Sequence, residues 1–493
     1  MPPVVIAGSG RLSRMTPEEF RTAGHRLIDW IADYRLSMEQ RPVRPSIDPG
    51  QVKAAMASEP GEPSVDVEPL LAFMDSVVVP GSTMVQHPMH YGWFPSNAGL
   101  ASVLGDIASS GLGSLGISWE SGPALTEVEE VVTDWLRKLV GLSDRWSSTI
   151  HDTASTSCLV ALILARERAS GNSYADRGLA GLDEAPVVYC TDHSHSSVRK
   201  AALLAGYGSD NVRIVAHDRR DFSMDVADLR AAIEADAADG RRPAAVVATI
   251  GTTGTTAVDP LAEIVAVAAE DGLWVHVDAA MAGSVMILPD HRHLWAGVED
   301  ADSITWNPHK WLGTILDTSI FHIRNTEFLI QVMSTNPSYL QSGADGTVTQ
   351  YRDWGIPLGR RFRALKILFH LSIDGVGALQ ARLRRDLDNA RWLAEQIEAA
   401  PDWQVVAPVV LQTVCVVHHP RGADSAGADD DLDVLNRHTL AWVEAINRSG
   451  EAYLTPTMLD GRWVARVSIG VETTEREHVA RLWGLMKNAV SAS

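Results

Sequence analysis

Between Val187 and Ile323, six short β-rich runs alternate with helix-length segments, and this alternation restricts the fold of the 493-residue chain more than any other feature. The runs are Val187 to Thr191, Val212 to Ala216, Ala244 to Ile250, Leu273 to Val277, Ile304 to Trp306 and Ser319 to Ile323. Ser155 to Arg168, Met224 to Ala237 and Leu261 to Glu270 read as helices long enough to cross over a sheet whose strands are buried on both faces. The pattern predicts a large α/β domain built of βα units. In open α/β sheets, ligands gather at the carboxyl ends of the strands. Residues that directly follow each run are therefore the first candidates for function.

Composition narrows the class. A content of 45% hydrophobic and 21% charged residues is ordinary for a globular protein, and the length calls for two or three domains. Against 42 basic residues stand 62 acidic ones, a formal net charge of −20 that repels polyanions and gives no general attraction to nucleic acid or an anionic membrane. A small-molecule partner is expected. Cys158, Cys190 and Cys415 are scattered and lack CxxC spacing, so neither a disulfide framework nor a cysteine metal site is expected. Residues Met1 to Arg14 lack the charged start and long apolar core of a secretory signal, and no apolar stretch of about 18 residues occurs. The expected location is the cytoplasm.

Residues 1–98 read as a helical N-terminal unit. Thr16-Pro17-Glu18-Glu19 sets a hydroxyl at the N-cap, proline at the first helical position and glutamate at the third, and Phe20, Leu27, Ile31 and Tyr34 follow on one face. Further helical stretches lie around Gln51 to Ser58 and Val67 to Val77. So small a unit needs the main domain or another subunit to cover an apolar face. Residues 99–366 form the large α/β domain in this reading, and 367–493 a smaller α+β domain. A long helical region after Arg361 runs through Glu398, followed by β-like runs at Val409 to Val417 and Trp463 to Ile469. Gly422 to Asp431, rich in alanine and aspartate, reads as a mobile loop.

Asp278 ends one of the six runs, and Lys310 lies in Asn307-Pro308-His309-Lys310-Trp311, just after another. A lysine amine condenses with an aldehyde, and a carboxylate facing a pyridine nitrogen keeps it protonated, so that the ring accepts electrons from a bond broken at an α-carbon. With their flanks, these motifs resemble the group II pyridoxal phosphate decarboxylases, most closely the aromatic L-amino acid decarboxylases. The likeness runs from about Thr16 to near the C-terminus and is densest between Tyr91 and Arg363. It implies an α/β fold of type I with pyridoxal 5'-phosphate as cofactor, a homodimer clasped by the N-terminal segment, and release of CO2 from an aromatic L-amino acid to leave an arylalkylamine.

By this resemblance Lys310 carries the cofactor, Asp278 protonates its ring nitrogen, His195 stacks on the ring, Ala280 packs under it, and Asn307 and His309 flank the lysine. Thr153, Ala154 and Ser155 precede an apolar helical run, where amides and about half a positive charge favour the phosphate. They read equally as a plain N-cap, and Asp152 just ahead repels a phosphate unless it points away. His193 and His195 alternatively read as a metal pair, but His291, His293, His418 and His419 sit in unrelated segments, and no metal site is expected. Thr253 lies near cofactor and substrate by resemblance, or simply ends a strand. Asn336 to Gly346 reads as a lid or as a surface loop, and the resemblance matches its Tyr339 to the lid tyrosine that acts as general acid. Related aldehyde synthases typically carry phenylalanine there, or asparagine in place of the stacking histidine, so Tyr339 with His195 favours amine formation.

Trp93, Phe94, Pro95, Ser96, Leu115, Ile117 and Gly359, with Trp119, are the candidates for the substrate pocket, although all could be core. At matched positions they suggest a flat apolar pocket, and the absence of an evident arginine clamp among them argues against glutamate. Pockets discriminate one methylene by only about 1–3 kcal/mol, so tryptophan, phenylalanine, tyrosine and dopa stay unranked. Three alternatives stand beside this reading: an oxygen-consuming aromatic aldehyde synthase, a decarboxylase of an aliphatic L-amino acid, and a dimer that binds ligand without turning it over.

Overall fold

Seven strands, β1 (Ser147–His151), β2 (Pro186–Thr191), β3 (Val212–Val215), β4 (Arg242–Thr249), β5 (Trp274–Asp278), β6 (Ser303–Trp306) and β7 (Ser319–Ile323), form one sheet in the order β1-β7-β6-β5-β4-β2-β3. The structure, a computed structural model, describes residues 15–59, 65–178, 184–335, 346–420 and 428–492. Neighbours from β3 to β6 pair in parallel, whereas β7 runs antiparallel to both β6 and β1. The two reversals cancel. The carboxyl ends of β1, β2, β4, β5 and β6 therefore share one edge, as the alternating pattern requires for a single ligand cleft.

All six expected runs are strands of this sheet, and the α/β class holds. β1 escapes the apolar pattern because Ser147, Ser148, Thr149 and His151 are polar. It is buried because its polar side chains have partners: Ser148 Oγ lies 2.7 Å from His322 Nδ1, Thr149 Oγ1 donates to Glu129 Oε1 at 3.2 Å, and His151 bonds Ser157 Oγ and Trp354 O. The helix Ala154–Ala169 starts after β1 and crosses the sheet under β4, β5, β6 and β7. Gly283 shows how closely the segment after β5 approaches β6, since a Cβ there would lie 2.3 Å from Trp306 Cβ.

A second, antiparallel sheet of β8 (Trp403–Val405), β9 (Thr413–His418), β10 (Thr455–Leu459) and β11 (Arg462–Ser468) has the order β10-β11-β9-β8. It packs against helices Val376–Glu398 and Ala428–Ser449. The long helical region expected up to Glu398 is two helices, Ala364–Ile373 and Val376–Glu398, divided where Gly375 takes φ +79°. β9 starts at Thr413, four residues later than the expected run. Residues 422–427 of the expected loop lie outside the described residues, but its end, from Ala428, is already helix. A polar, alanine-rich composition does not separate a loop from an exposed helix start.

At the N-terminus the expected capping box is present: Glu19 N–H donates to Thr16 Oγ1 (3.2 Å) and Thr16 N–H to Glu19 Oε2 (2.8 Å), opening helix Pro17–Leu36. The next helix is shorter than expected, Gln51–Ala55, and Glu68–Phe73 runs on into the wider turn Met74–Val78. The three cysteines are buried and free. Among the described residues, no helix is long and apolar enough to cross a membrane.

The core also stores a pH dependence. Trp306 Nε1 donates to His322 Nε2 at 2.9 Å, so the neutral ring carries its proton on Nδ1, facing Ser148. Burial pushes this histidine from 6.5 down to about 3. The unfolded chain therefore binds this proton first, and the stability present above pH 6.5 is lost as pH falls towards about 3. In His322→Gln, the decline of unfolding free energy with falling pH between 6 and 4 is expected to flatten by about 1.4 kcal/mol per pH unit. Denaturant titrations at a series of pH values measure this, and an unchanged slope removes His322 as the buried neutral group.

Candidate active site

Asp278 ends β5, with Thr249 of β4 and Thr305 of β6 as its neighbours across the sheet. It is buried, and its Oδ1 accepts the Ala280 amide at 3.0 Å, which turns the chain away from the strand. β6 leads through Asn307 into the wide turn Pro308–Leu312, which carries Lys310 and ends at Gly313, φ +105°. Wide turns of this kind are common at functional sites. Lys310 Nζ lies 5.4 Å from the centre of the Phe94 ring. Burial lowers the pKa of this amine, the charge of Asp278 opposes that, and Arg466 adds to it.

The turn is held from several directions. Asn97 Nδ2 donates to Lys310 O at 3.2 Å and to Gly470 O at 2.8 Å. Arg382 donates to Trp311 O and Leu312 O, and Trp311 Nε1 donates to Asp386 Oδ2 at 2.9 Å. His309 Nδ1 accepts the Thr318 amide at 2.9 Å, which ties the turn to the start of β7, and burial with Lys310 beside it brings this ring down to about 4. Asn307 donates its backbone N–H to Ala280 O at 2.9 Å, but its side-chain Oδ1 is buried with no partner.

His195 caps helix Ser196–Leu204: its Nδ1 accepts the Ser197 amide at 3.2 Å, which leaves Nε2–H as the donor of the neutral ring. Burial lowers its pKa, Asp278 opposes and Lys310 assists, so the three groups share one electrostatic environment. Thr153 is the N-cap of helix Ala154–Ala169, yet its hydroxyl makes no cap bond, and first-turn amides such as those of Ala154 and Ser155 have no intrahelical acceptor. Asp152 Oδ1 accepts the Thr153 amide at 2.7 Å, so the awkward carboxylate is engaged by its own backbone. Cys158, one turn further along, lies within electrostatic reach of Asp278. Thr253 is exposed after β4, on a turn held by Thr252, whose Oγ1 lies 3.0 Å from Thr255 Oγ1.

The residues expected to form the substrate pocket fall into two groups. Phe94 lies against Lys310, while Trp93, at φ +48°, packs its ring on His90 and Tyr453. The stretch after Leu115, which is itself exposed, bonds the segment around Gly359: Ile117 O accepts the Arg352 amide at 2.7 Å, and Gly116 N–H donates to Arg360 O at 3.0 Å. Gly359 is exposed, with open space where a Cβ would stand. Tyr339 and most of the expected lid, residues 336–345, lie outside the described residues.

Sequence reasoning missed Asn97, Arg382 and Arg466. Arg466 of β11 is buried, sits 4.5 Å over the Phe94 ring and donates to Trp93 O, while its Nε and Nη2 have no hydrogen-bond partner. Burial lowers its pKa to about 10. The arginine that seemed missing from the pocket thus arrives from the second sheet, where no local motif announces it.

These residues fit pyridoxal phosphate. The cleft offers a half-buried lysine amine, a buried carboxylate on the adjoining strand, an unpartnered polar atom on Asn307 and a helix N-terminus whose Thr153 hydroxyl makes no cap bond. Residues 49–418 match the pyridoxal-dependent decarboxylase conserved domain. Tryptophan decarboxylase 2 of Oryza sativa subsp. japonica is 36% identical, covering 98% of this chain and 96% of that protein. A phenylacetaldehyde synthase of a Rosa hybrid cultivar is 35% identical, with 99% and 97% covered. The crystal structure of Oryza sativa TDC with PLP and tryptamine matches with a TM-score of 0.93 at 34% identity, covering 98% of this chain and 99% of that one. The chain belongs to the pyridoxal-dependent decarboxylase family, carboxy-lyases built on the type I fold of pyridoxal phosphate enzymes.

Proposed function

We propose that this protein is a homodimeric, cytoplasmic decarboxylase that converts an aromatic L-amino acid to its arylalkylamine and CO2. The observation that carries the reading is the Lys310 amine against the Phe94 ring, in electrostatic contact with the buried carboxylate of Asp278 on the next strand. Pyridoxal phosphate, when bound, supplies the electron-accepting ring that makes loss of CO2 from an α-carbon feasible. The protein's own tasks are positioning and proton control. Lowering its pKa keeps a larger share of the Lys310 amine neutral, the form that reacts with a carbonyl. Asp278 would face the cofactor's ring nitrogen with its carboxylate and so keep that nitrogen protonated, and His195 offers its Nε2–H to the cleft. Thr153, Ala154 and Ser155 hold phosphate. Tyr339 returns a proton to the α-carbon, a role that rests on the resemblance of its segment.

Arg466 is the group best suited to an amino acid's carboxylate, because a buried guanidinium with two unpartnered nitrogens gains most from an anion. Trp93 and Phe94 offer the flat apolar surface beside it. Oxidation to the aldehyde is the second reading, favoured by the 35% identity to a phenylacetaldehyde synthase; Tyr339 and His195 support amine formation instead.

A homodimer is supported by apolar side chains that one chain leaves uncovered. Phe20 (63% exposed), Leu27, Leu100, Leu104, Ile107 and Leu112 lie on helices Pro17–Leu36 and Leu100–Leu112. The expected helical segment 1–98 would clasp the partner, beside a large domain through residue 366 and a small one from 367.

Three measurements test these proposals. Purified protein with pyridoxal phosphate is expected to show an absorbance band in the visible and to release amine and CO2 from at least one of tryptophan, phenylalanine, tyrosine and dopa. Lys310→Ala abolishes both, and Tyr339→Phe diverts product to aldehyde with peroxide and ammonia. Turnover by Lys310→Ala at the wild-type rate sinks the assignment, and peroxide from wild type selects the second reading. Arg466→Met should keep the visible band but lose about 10- to 100-fold in kcat/KM through a higher KM; an unchanged KM excludes carboxylate recognition by this residue. In sedimentation the wild type runs as a dimer and Leu104→Glu with Ile107→Glu as a monomer, whereas a monomeric wild type refutes the clasp.

A further inference from the structure

His193 and His195 occupy one turn but face different surroundings. His195 joins the electrostatics of Lys310 and Asp278, whereas the His193 ring meets His217 edge-on at 4.4 Å between ring centres. His217 lies two residues beyond the end of β3, and its Nδ1 is 3.1 Å from Asp192 Oδ1. Its Nε2 is 3.1 Å from Oδ1 of Asp460, in the turn between β10 and β11. The candidate ligand atoms of Asp192, His193 and His217 all lie within 4.8 Å of one another.

An independent observation points to a ligand. The His193 side chain is nine-tenths buried (10% exposed), and its Nε2 has no hydrogen-bond partner although it faces Asp192 Oδ1 at 3.9 Å. A buried ring nitrogen left without a partner carries a desolvation cost that a metal ion removes. We propose that Asp192, His193 and His217 bind a divalent transition metal of the zinc class, an ion suited to two imidazoles and a carboxylate.

The surroundings match that chemistry. Tetrahedral ligands at zinc lie about 3.3 Å apart, so the three atoms need only close in by side-chain rotation. With the metal on His217 Nδ1, the Nε2–H donates to Asp460, the carboxylate behind the imidazole that fixes ring orientation and raises ligand basicity. Phe222 is buried against both rings, stacked on His217 and edge-on to His193, and shields one side from water. Asp192 is 55% exposed at its side chain, which leaves an entry path and a fourth position for water. The third ligand that the sequence did not offer is His217.

Lys310 is not among the three ligands, so the test keeps the loaded enzyme and reads binding directly. Calorimetric titration of the pyridoxal-phosphate-loaded protein with zinc chloride is expected to give one equivalent per chain. His217→Ala and His193→Gln should each weaken that binding at least tenfold, and Asp460→Asn should weaken it by a smaller factor. Zinc should raise the thermal midpoint of wild type and leave that of His217→Ala unmoved, while both keep the same visible absorbance. Absence of stoichiometric binding by wild type, or wild-type affinity in either histidine variant, overturns the site.

Discussion

Placing the Lys310 amine and the Arg466 guanidinium in one buried cleft, with Asp278 as the carboxylate that acts on Lys310, is the constraint around which this structure is arranged. Two cations taken out of water are costly unless an anion arrives. The proposed phosphate at the helix after β1 and the proposed carboxylate beside Phe94 would each bring such an anion. They would do so within a chain whose formal net charge is −20. Binding here depends on local arrangement at the strand ends, since the global field opposes anions.

Such a cleft works only if the lysine turn is rigid. The carbonyls of Lys310, Trp311 and Leu312 are each bonded by a side chain from a distant segment, Asn97 on one side and Arg382 on the other, and Asp386 holds the Trp311 indole. Asn97 also bonds Gly470 O and the Glu472 amide, so hydrogen bonds tie the lysine turn to the residues before the Leu100–Leu112 helix and to those that follow β11. The backbone that carries the Lys310 side chain is thus held in place from several directions.

What was legible in the sequence follows from this division. Strands β2 and β4 to β7 are largely buried on both faces, and such burial writes itself into composition, while the edge strand β3 is apolar but leaves Ile214 exposed. Asp278 and Lys310 were legible because each directly follows such a run. β1 was not, because its burial depends on partners: Ser148 needs His322 and Thr149 needs Glu129, far along the chain. Arg466 and Asn97 escaped for the same reason. One is a lone cation in a strand of the second sheet and the other an amide before a helix, and neither spacing distinguishes a site residue from a surface one. Of the residues expected in the pocket, Phe94 lies against Lys310, whereas Ile117 O accepts the Arg352 amide, contacts that no local motif announces.

The His193-Ser194-His195 turn shows where local reading reaches its limit. Two imidazoles separated by one residue invite a shared metal, and the absence of a nearby third ligand argued against it. In the fold, the helix that begins at Ser196 takes His195 as its cap through Nδ1. That bond fixes the ring beside the cofactor cleft and removes it from any pairing with its neighbour. His193, freed from the cap, meets the residues that follow β3, the strand next to its own. The parallel pairing of β2 with β3 is what brings His217 alongside, since both chains leave the sheet at the same edge. One sheet edge thus separates two histidines two positions apart into different chemistries, and strand order, more than spacing, decides which partner each one meets.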